Sequence, residues 1–449
     1  MLVRFLLKNW MSYKDEAELS LIATGEKQHV DTLANIKKFR LKLLPVTAIY
    51  GPNASGKSNL VAGIGFAREF ILKGLGVNDS IPVRRFKLDD DGLKAPLEMQ
   101  FDLLINELIY KFKFAVTAKA VVSESLTVTN SSSEKVLYTR TGQDIKLGET
   151  IKDRDGKWRF STQTTRENTL FLTNTVLQNF KEFRPVYDWF NETLVIVTPS
   201  SQYGLVSRFI DKSDPISQKV SELLSDFDTG VERLVGQPID VKMLPISAED
   251  LNTIQTQLAD GEKVTLRSPT IASMFVISKE GDELQAMKVV ANHRKSDGTE
   301  VSFSLDEESD GTNRLIDMAP SLLMLCQDKS RVIIIDELDR SLHTKVTQEY
   351  VNRFLNVCDE SRRNQLIFTT HDVSLMGQHM LRRDELWLTE RDSLGASQLT
   401  AFCEYKDVRK DNNLILSYLS GRVGGLPNIL GVFGSCGNGG YSVQIKTFF

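Results

Sequence analysis

Gly51-Pro52-Asn53-Ala54-Ser55-Gly56-Lys57-Ser58 follows an apolar segment, Leu41 to Tyr50, that reads as a buried strand, and a helix is expected to begin at its end. That order of strand, glycine loop and helix is the strongest constraint in the chain. The glycines let the backbone wrap a phosphate chain with its N–H groups, and Lys57 adds a mobile charge for the outer phosphates. The Ser58 hydroxyl can complete a magnesium shell. The segment therefore predicts an α/β fold built around a nucleoside triphosphate.

With 449 residues, 41% of them hydrophobic, the chain can bury a large core and form two or three domains. Its longest apolar runs fall short of the roughly 20 residues of a membrane span, and Arg4 and Lys8 interrupt the first of them, so a cytoplasmic protein is expected. Cys326, Cys358, Cys403 and Cys436 are too far apart to suggest a zinc site or a disulfide framework. A formal charge of −4 argues against a broadly basic surface. Arg362-Arg363, Arg382-Arg383 and Arg409-Lys410 read as solvated helix ends or as local phosphate contacts.

Residues 2–7 and 17–22 read as strands, and the helix after Ser58 is expected to run to about Lys73. Leu97 to Val116 alternates in two bursts around Asn106-Glu107, which predicts a hairpin, and Val121 to Tyr138 supplies more strand around Ser131 to Ser133. From about Thr164 to Asp260 the spacing turns helical: Ile216, Val220, Leu223, Leu224, Phe227 and Val231 share a face with a break near Gly230, and Ser247 with Asp250 can cap another helix bearing Leu251, Ile254 and Leu258. Ile271 to Ile277, Met287 to Ala291 and Val301 to Leu305 return to strand. No heptad persists long enough for a coiled coil. Gly421 to Gly440 is glycine-rich, and Leu430 to Phe449 has no clear reading.

Four β-branched residues, Val332 to Ile335, suit a parallel strand buried on both faces, and they deliver Asp336 and Glu337 to its carboxyl end, where ligands bind in such sheets. Asp336 suits magnesium held through water, and Glu337 suits orienting, or taking a proton from, the water that attacks a γ-phosphate. As a bare pattern, the two acids also describe a capped turn. Leu366 to Phe368 form another short strand ending at Thr369-Thr370-His371-Asp372. His371 there can donate a hydrogen bond to a terminal phosphate or serve structure alone. Ser309-Asp310-Gly311-Thr312 opens a helix carrying Leu315, Ile316, Ala319 and Leu322; its free N–H groups suit anionic oxygen, and equally suit an ordinary N-cap.

The order of these four pieces resembles the ABC-type ATPase heads of SMC proteins and their relatives. Phe5 to Tyr13 is similar to the first strand and turn of such heads, as is Asn59 directly after Lys57-Ser58, and the resemblance covers about 1–75 and 300–405. It implies an α/β head with a mixed sheet around the phosphate loop, a β-rich subdomain, a helical insertion and no long coiled coil. The implied divisions are 1–163 for the first part of the head, 164–300 for the insertion, 301–405 for the second part and 406–449 for an extension. Within the resemblance ATP and Mg2+ are the cofactors, and Gly51, Pro52, Asn53, Ala54, Ser55, Gly56, Lys57, Ser58 and Asn59 hold the nucleotide. Ser58 and Asp336 serve the metal, Glu337 is the catalytic base and His371 the switch histidine. Ser309, Asp310, Gly311 and Thr312 form the signature that binds the γ-phosphate held by a second subunit, so ATP joins two copies, and Asp339 to His343 cross the interface. The glutamine such heads carry has no clear counterpart; Gln100 and Gln178 are the guesses.

Leu338 stands where transporters have proline, Asp310 and Thr312 alter the usual signature, and Ser341-Leu342-His343 replaces the usual Ala-Leu-Asp. These variants resemble the ABC-like ATPases of bacterial phage-defence and OLD-related systems: RloA and AbiL types, the AriA type of PARIS and the PtuA type of Septu. Asp407 to Asp411 and Tyr418 to Arg422 resemble their C-terminal ends. The resemblance implies a homo-oligomer acting as sensor and scaffold for a separately encoded nuclease or effector. A compact DNA-binding ATPase like SMC or recombination proteins is the alternative, with salt-sensitive duplex binding as its mark. A small-molecule kinase is the third reading, and it gives the Ser309 segment no task.

Overall fold

In the Val332–Ile335 strand, Val332 and Ile334 enter one hydrophobic core while Ile333 and Ile335 enter another, the period-two outcome for a strand covered on both faces. The computed structural model describes all residues except 132, 154, 200–205, 212–213, 268–272, 328–329, 406–412 and 427–449. The expectations for Asp407 to Asp411, for Arg409-Lys410, for Leu430 to Phe449, for Cys436, for the start of the Ile271 strand and for most of the glycine-rich end lie outside the described residues.

The central sheet has six strands in the order Leu194–Val197, Val332–Ile335, Gln365–Thr369, Val46–Tyr50, Leu386–Arg391 and Ser397–Ala401. The first five are parallel and the last is antiparallel. On one face lies the Lys57–Lys73 helix, whose Leu60, Val61, Ile64 and Phe70 share a core with Phe101, Phe112 and Phe114 of a second sheet. Each such side chain contributes about 1.5–3 kcal/mol when removed from water. The other face is covered by the helices Pro215–Asp226, Asp310–Gln327, Thr344–Leu355 and Leu414–Leu419.

The second sheet is a seven-stranded antiparallel meander that includes Leu2–Lys8 and Ala17–Ser20 and carries the β-rich subdomain. Its hairpin turns at Asn106 and Glu107, both at positive φ (48° and 58°), with Ile105 paired to Leu108, the two-residue turn that matches strand twist. A third sheet, built from Val231–Ile239, Lys263–Arg267, Met274–Glu280, Glu283–Arg294 and Glu300–Ser304, occupies the stretch read as an insertion and runs past its expected end at residue 300. Mixed α/β architecture thus holds throughout, and the two longest described helices have 17 and 18 residues. No helix of the described residues is long and apolar enough to cross a membrane.

Four local expectations change. Leu41 to Tyr50 is not one strand: Leu41–Leu43 pairs antiparallel with Ala34–Ile36, and only after Pro45 does the chain join the central sheet. Val231 does not continue the helical face of Ile216 to Leu224, because Asp228 and Gly230 at positive φ turn the chain into a strand. Leu194–Val197, inside the region of helical spacing, is the edge strand of the central sheet. Arg382 and Arg383 are not solvated helix ends either. Both are buried, and Arg382 is bidentate to Asp384 at 2.7 and 2.8 Å.

Candidate nucleotide-binding site

Three parallel strands end side by side, and each hands over site residues at its carboxyl end: Tyr50 to the phosphate loop, Ile335 to Asp336-Glu337, and Thr369 to Thr370-His371. Their loops enclose a cavity of about 250 Å³ lined by Asn53 to Asn59, Glu337, His371 and Arg391.

The loop itself is shaped by close packing. A Cβ on Gly51 (φ 149°) would lie 2.3 Å from Thr389 Oγ1, and one on Gly56 (φ 120°) would lie 2.5 Å from Ser397 Oγ, so only glycine fits either place. Ala54 occupies the left-handed region at φ 62°, which costs about 1–2 kcal/mol for a residue with a side chain. Beneath the loop runs a buried polar floor. Ser55 Oγ is 2.5 Å from Thr389 Oγ1, Ser397 Oγ donates to Ser55 O at 2.6 Å, and the Tyr13 hydroxyl donates to Gly56 O at 3.2 Å. Trp10 Nε1 donates to Asn59 O, and the Asn59 side chain donates to Ser12 Oγ at 2.7 Å. The turn after the first strand is thus a prop for the phosphate loop. Asn59 lines the cavity with its amide engaged by that prop.

Lys57 is buried, and its ammonium donates to Gly51 O at 2.6 Å and Pro52 O at 3.2 Å. Burial pushes its pKa down to about 8, against the pull of Asp336, Asp339 and Glu337. Asp336 is also buried, and its Oδ1 accepts from Ser58 Oγ at 3.2 Å and from Thr369 Oγ1 at 2.6 Å. Hard oxygens from one hydroxyl that lines the cavity and one carboxylate hydrogen-bonded to it fit a magnesium ion that would take its other ligands from phosphate and water.

Glu337 adopts φ 54°, and its N–H donates to Thr369 Oγ1 at 2.8 Å. Leu338 N–H donates to Thr369 O at 3.0 Å, a bond that proline cannot make, which gives the departure at this position a structural reason. Both carboxylate oxygens of Asp339 lie 3.2–3.3 Å from His371 N–H. The His371 imidazole is held below its ordinary pKa by partial burial and by Lys57, with Asp339 and Glu337 opposing.

Ser309 to Thr312 do not line this cavity. They open the Asp310–Gln327 helix, with Ser309 Oγ accepting from Thr312 N–H at 3.0 Å. Ser309 and Asp310 are exposed; Thr312 is buried, its hydroxyl 2.9 Å from Ser309 Oγ. A Cβ on Gly311 would sit 2.9 Å from Ser341 O, which puts this turn against the loop after Asp339. His343 caps the next helix, its Nδ1 accepting from Lys345 N–H. Gln100 is bonded to Asp102 and Gln178 to Asn174, and no glutamine lines the cavity among the described residues. Arg391, Thr389 and Ser397 escaped the sequence reading, and Thr369 was given no task there beyond ending its strand. The apolar run Leu386-Trp387-Leu388 was the available signal for the strand that brings Thr389 and Arg391 to the loop.

The family described as "AAA domain, putative AbiEii toxin, Type IV TA system" matches residues 46–377. No curated protein matches the chain. Among solved structures, the SMC head domain from Thermotoga maritima is similar at 14% identity and TM-score 0.38, covering 89% of this chain and 98% of that one. An SmcHead bound to the C-winged helix domain of ScpA gives 13% and 0.40, covering 89% and 97%. An Smc head domain with an extended coiled coil, bound to the C-terminal domain of ScpA derived from Pyrococcus furiosus, gives 14% and 0.33, covering 89% and 96%. The family match takes in the phosphate loop, Ser309 to Thr312, Asp336-Glu337 and His371, and the chain belongs to that AAA-domain family.

Proposed function

We propose that this chain is a magnesium-dependent ATPase whose site is completed by a second copy, and that it acts in the cytoplasm as sensor and scaffold for a separately encoded nuclease or effector in phage defence. The observation that carries the reading is the single cavity lined by Lys57, Ser58, Glu337 and His371, with Asp336 on the Ser58 hydroxyl. Lys57 and the loop N–H groups bind the outer phosphates. Ser58 and Asp336 would hold magnesium, which when bound neutralises charge on the β- and γ-oxygens. Glu337 orients the attacking water and takes its proton, and His371 donates to the γ-phosphate as charge shifts. A neighbouring cleft of about 590 Å³, lined by Met11, Ser12, Arg84 and Phe86 and sharing Asn59 and Arg391 with the phosphate cavity, gives the base and ribose room.

Ser309 and Asp310, exposed and outside the chain's own cavity, support a role toward a neighbour's γ-phosphate, so that ATP makes association ligand-dependent. The defence assignment is supported by the departures at Asp310, Thr312, Leu338 and Ser341 to His343 and by the toxin-system description of the matched family. The test mixes Lys57→Ala and Ser309→Arg chains, each inactive alone. Up to about one quarter of wild-type turnover is expected at 1:1, since half of random pairs are mixed and each holds one complete site of two. Two inactive variants that stay inactive when mixed sink the shared-site reading.

A further inference from the structure

Arg314 lies one turn into the helix that Ser309 to Thr312 open, and it is buried. Its Nη2 donates to Asp336 O and to Glu337 O, both at 3.1 Å. Both acceptors are peptide carbonyls, and the Nε of the same guanidinium, fully enclosed, has no hydrogen-bond partner. Burial lowers the pKa of this guanidinium, with Asp317 and Tyr350 opposing most and Arg340 adding a smaller push downward. A planar fork with carbonyls on one edge fixes the direction of those carbonyls, which a flexible ammonium does less well.

The peptide it grips is the strained one. Glu337 stands at φ 54°, in a region that residues with side chains occupy only when their surroundings impose it. Thr369 Oγ1 takes the Glu337 N–H from one side at 2.8 Å, Thr369 O takes the Leu338 N–H at 3.0 Å, and Arg314 takes the Glu337 carbonyl. Arg314 is the member of this clamp that comes from the helix opened by Ser309 to Thr312. At its start, that helix also presses Gly311 against Ser341 O, four residues beyond Glu337.

We infer that Arg314 is a positioning residue that ties each chain's Ser309–Thr312 turn to the same chain's Glu337, so that contact of the turn with a neighbour's triphosphate sets the aim of the carboxylate at its own. The inference rests on the shared-site reading and adds a direction to it: each copy reports on its partner's nucleotide through its own helix. Two sites linked this way raise each other's rate, because engaging the opposite triphosphate improves the aim that Arg314 already gives each carboxylate without being required for it.

The experiment uses full-length chain. Arg314→Met is expected to lower kcat at least tenfold with KM for ATP within threefold, and to bring the Hill coefficient for ATP toward one; Arg314→Lys, which keeps a donor, is expected to recover part of kcat at unchanged KM. Loss of kcat and ATP binding together, with a fall in Tm that lysine does not repair, would mean that Arg314 only holds the fold, and unchanged kcat would mean that it does nothing at Glu337. The Lys57→Ala and Ser309→Arg mixture then gives the direction. Arg314→Met on the Ser309→Arg chain, which owns the working phosphate loop and Glu337, is expected to silence the mixed pair, whereas on the Lys57→Ala chain it costs less than threefold. The opposite ranking overturns the inference while leaving shared sites intact. No recovery in the parent mixture removes the shared site and the coupling with it, and the kcat against KM split still decides whether Arg314 aims Glu337.

Discussion

The phosphate loop and the Ser309–Thr312 turn are both glycine-containing helix starts that offer N–H groups to anionic oxygen, yet they are built in opposite ways. Ser12, Tyr13, Thr389 and Ser397 brace the loop from below with buried hydrogen bonds drawn from both ends of the chain. The turn is braced by its own Ser309 cap and by the loop at Ser341, and its first two residues face outward. On the proposed reading, one is a finished half-site and the other a projecting one. Rigid support where the ligand first binds, and a lightly held surface where it is later completed, suits a site that closes in two steps.

The largest expected effect separates binding from chemistry. Glu337→Gln is expected to lower ATP turnover on the order of 100-fold or more, the loss of a positioned base, while ATP still binds and ATP-loaded assemblies accumulate in light scattering. Turnover at the normal rate would strip Glu337 of its role. Next come the two glycines. Gly56→Ala drives a Cβ to 2.5 Å from Ser397 Oγ at φ 120°, and a loss of about 1–3 kcal/mol in stability together with loss of ATP binding is expected. Gly311→Ala meets Ser341 O at 2.9 Å and is expected to spare binding of ATP and Tm while lowering turnover about tenfold, the range of one misplaced contact. Equal damage from both alanines, read in thermal melts and equilibrium binding, would break the contrast between the two half-sites.

A pH series sharpens the same contrast. Lys57 has its pKa pushed down to about 8 in the free chain, and a bound triphosphate favours the ammonium. ATP affinity is therefore flat below that pH and weakens above it, toward tenfold per pH unit, with proton uptake visible by calorimetry in buffers of different ionisation heat. Affinity that stays level to pH 9.5 would contradict this. Without nucleotide the sign for folding is the reverse: the folded chain binds fewer protons than the unfolded one between about 8 and the ordinary lysine value, so this group's contribution to stability rises with pH over that range. The smallest effect tests the floor. Tyr13→Phe removes one buried hydrogen bond to Gly56 O and is expected to cost about 1 kcal/mol in Tm-derived stability and a few-fold in ATP affinity.

What could be read in the sequence is what depends on neighbours in the chain. The β-branched run at Val332 to Ile335, the Asn106-Glu107 turn and the Ser247 cap all express themselves locally, and each forms as expected. Leu194–Val197 carries a β-branched run as short as that of Val332–Ile335, but it lies in a stretch of helical spacing, and the strand it pairs with begins 138 residues later at Val332. The split at Pro45 was hidden because the residues on both sides are apolar; what differs is which strands they meet. Arg314 was hidden for a sharper reason. A lone arginine on a helix carries no motif, and its meaning lies in two backbone carbonyls 22 and 23 residues away.

Gln365 adds a consequence for the making of the protein. Its amide donates to Leu2 O and Leu44 O, its oxygen accepts from Leu2 N–H, and the strand it begins lies beside Val46–Tyr50, which is flanked on its other side by Leu386–Arg391. A growing chain thus exposes an apolar strand with two bare edges until more than three quarters of its length has left the ribosome. Such a strand invites pairing with other chains, and closing it late makes folding slow. The nucleotide pocket is accordingly among the last parts of the molecule to exist, and a chain truncated before Gln365 is expected to depend on chaperones or to aggregate.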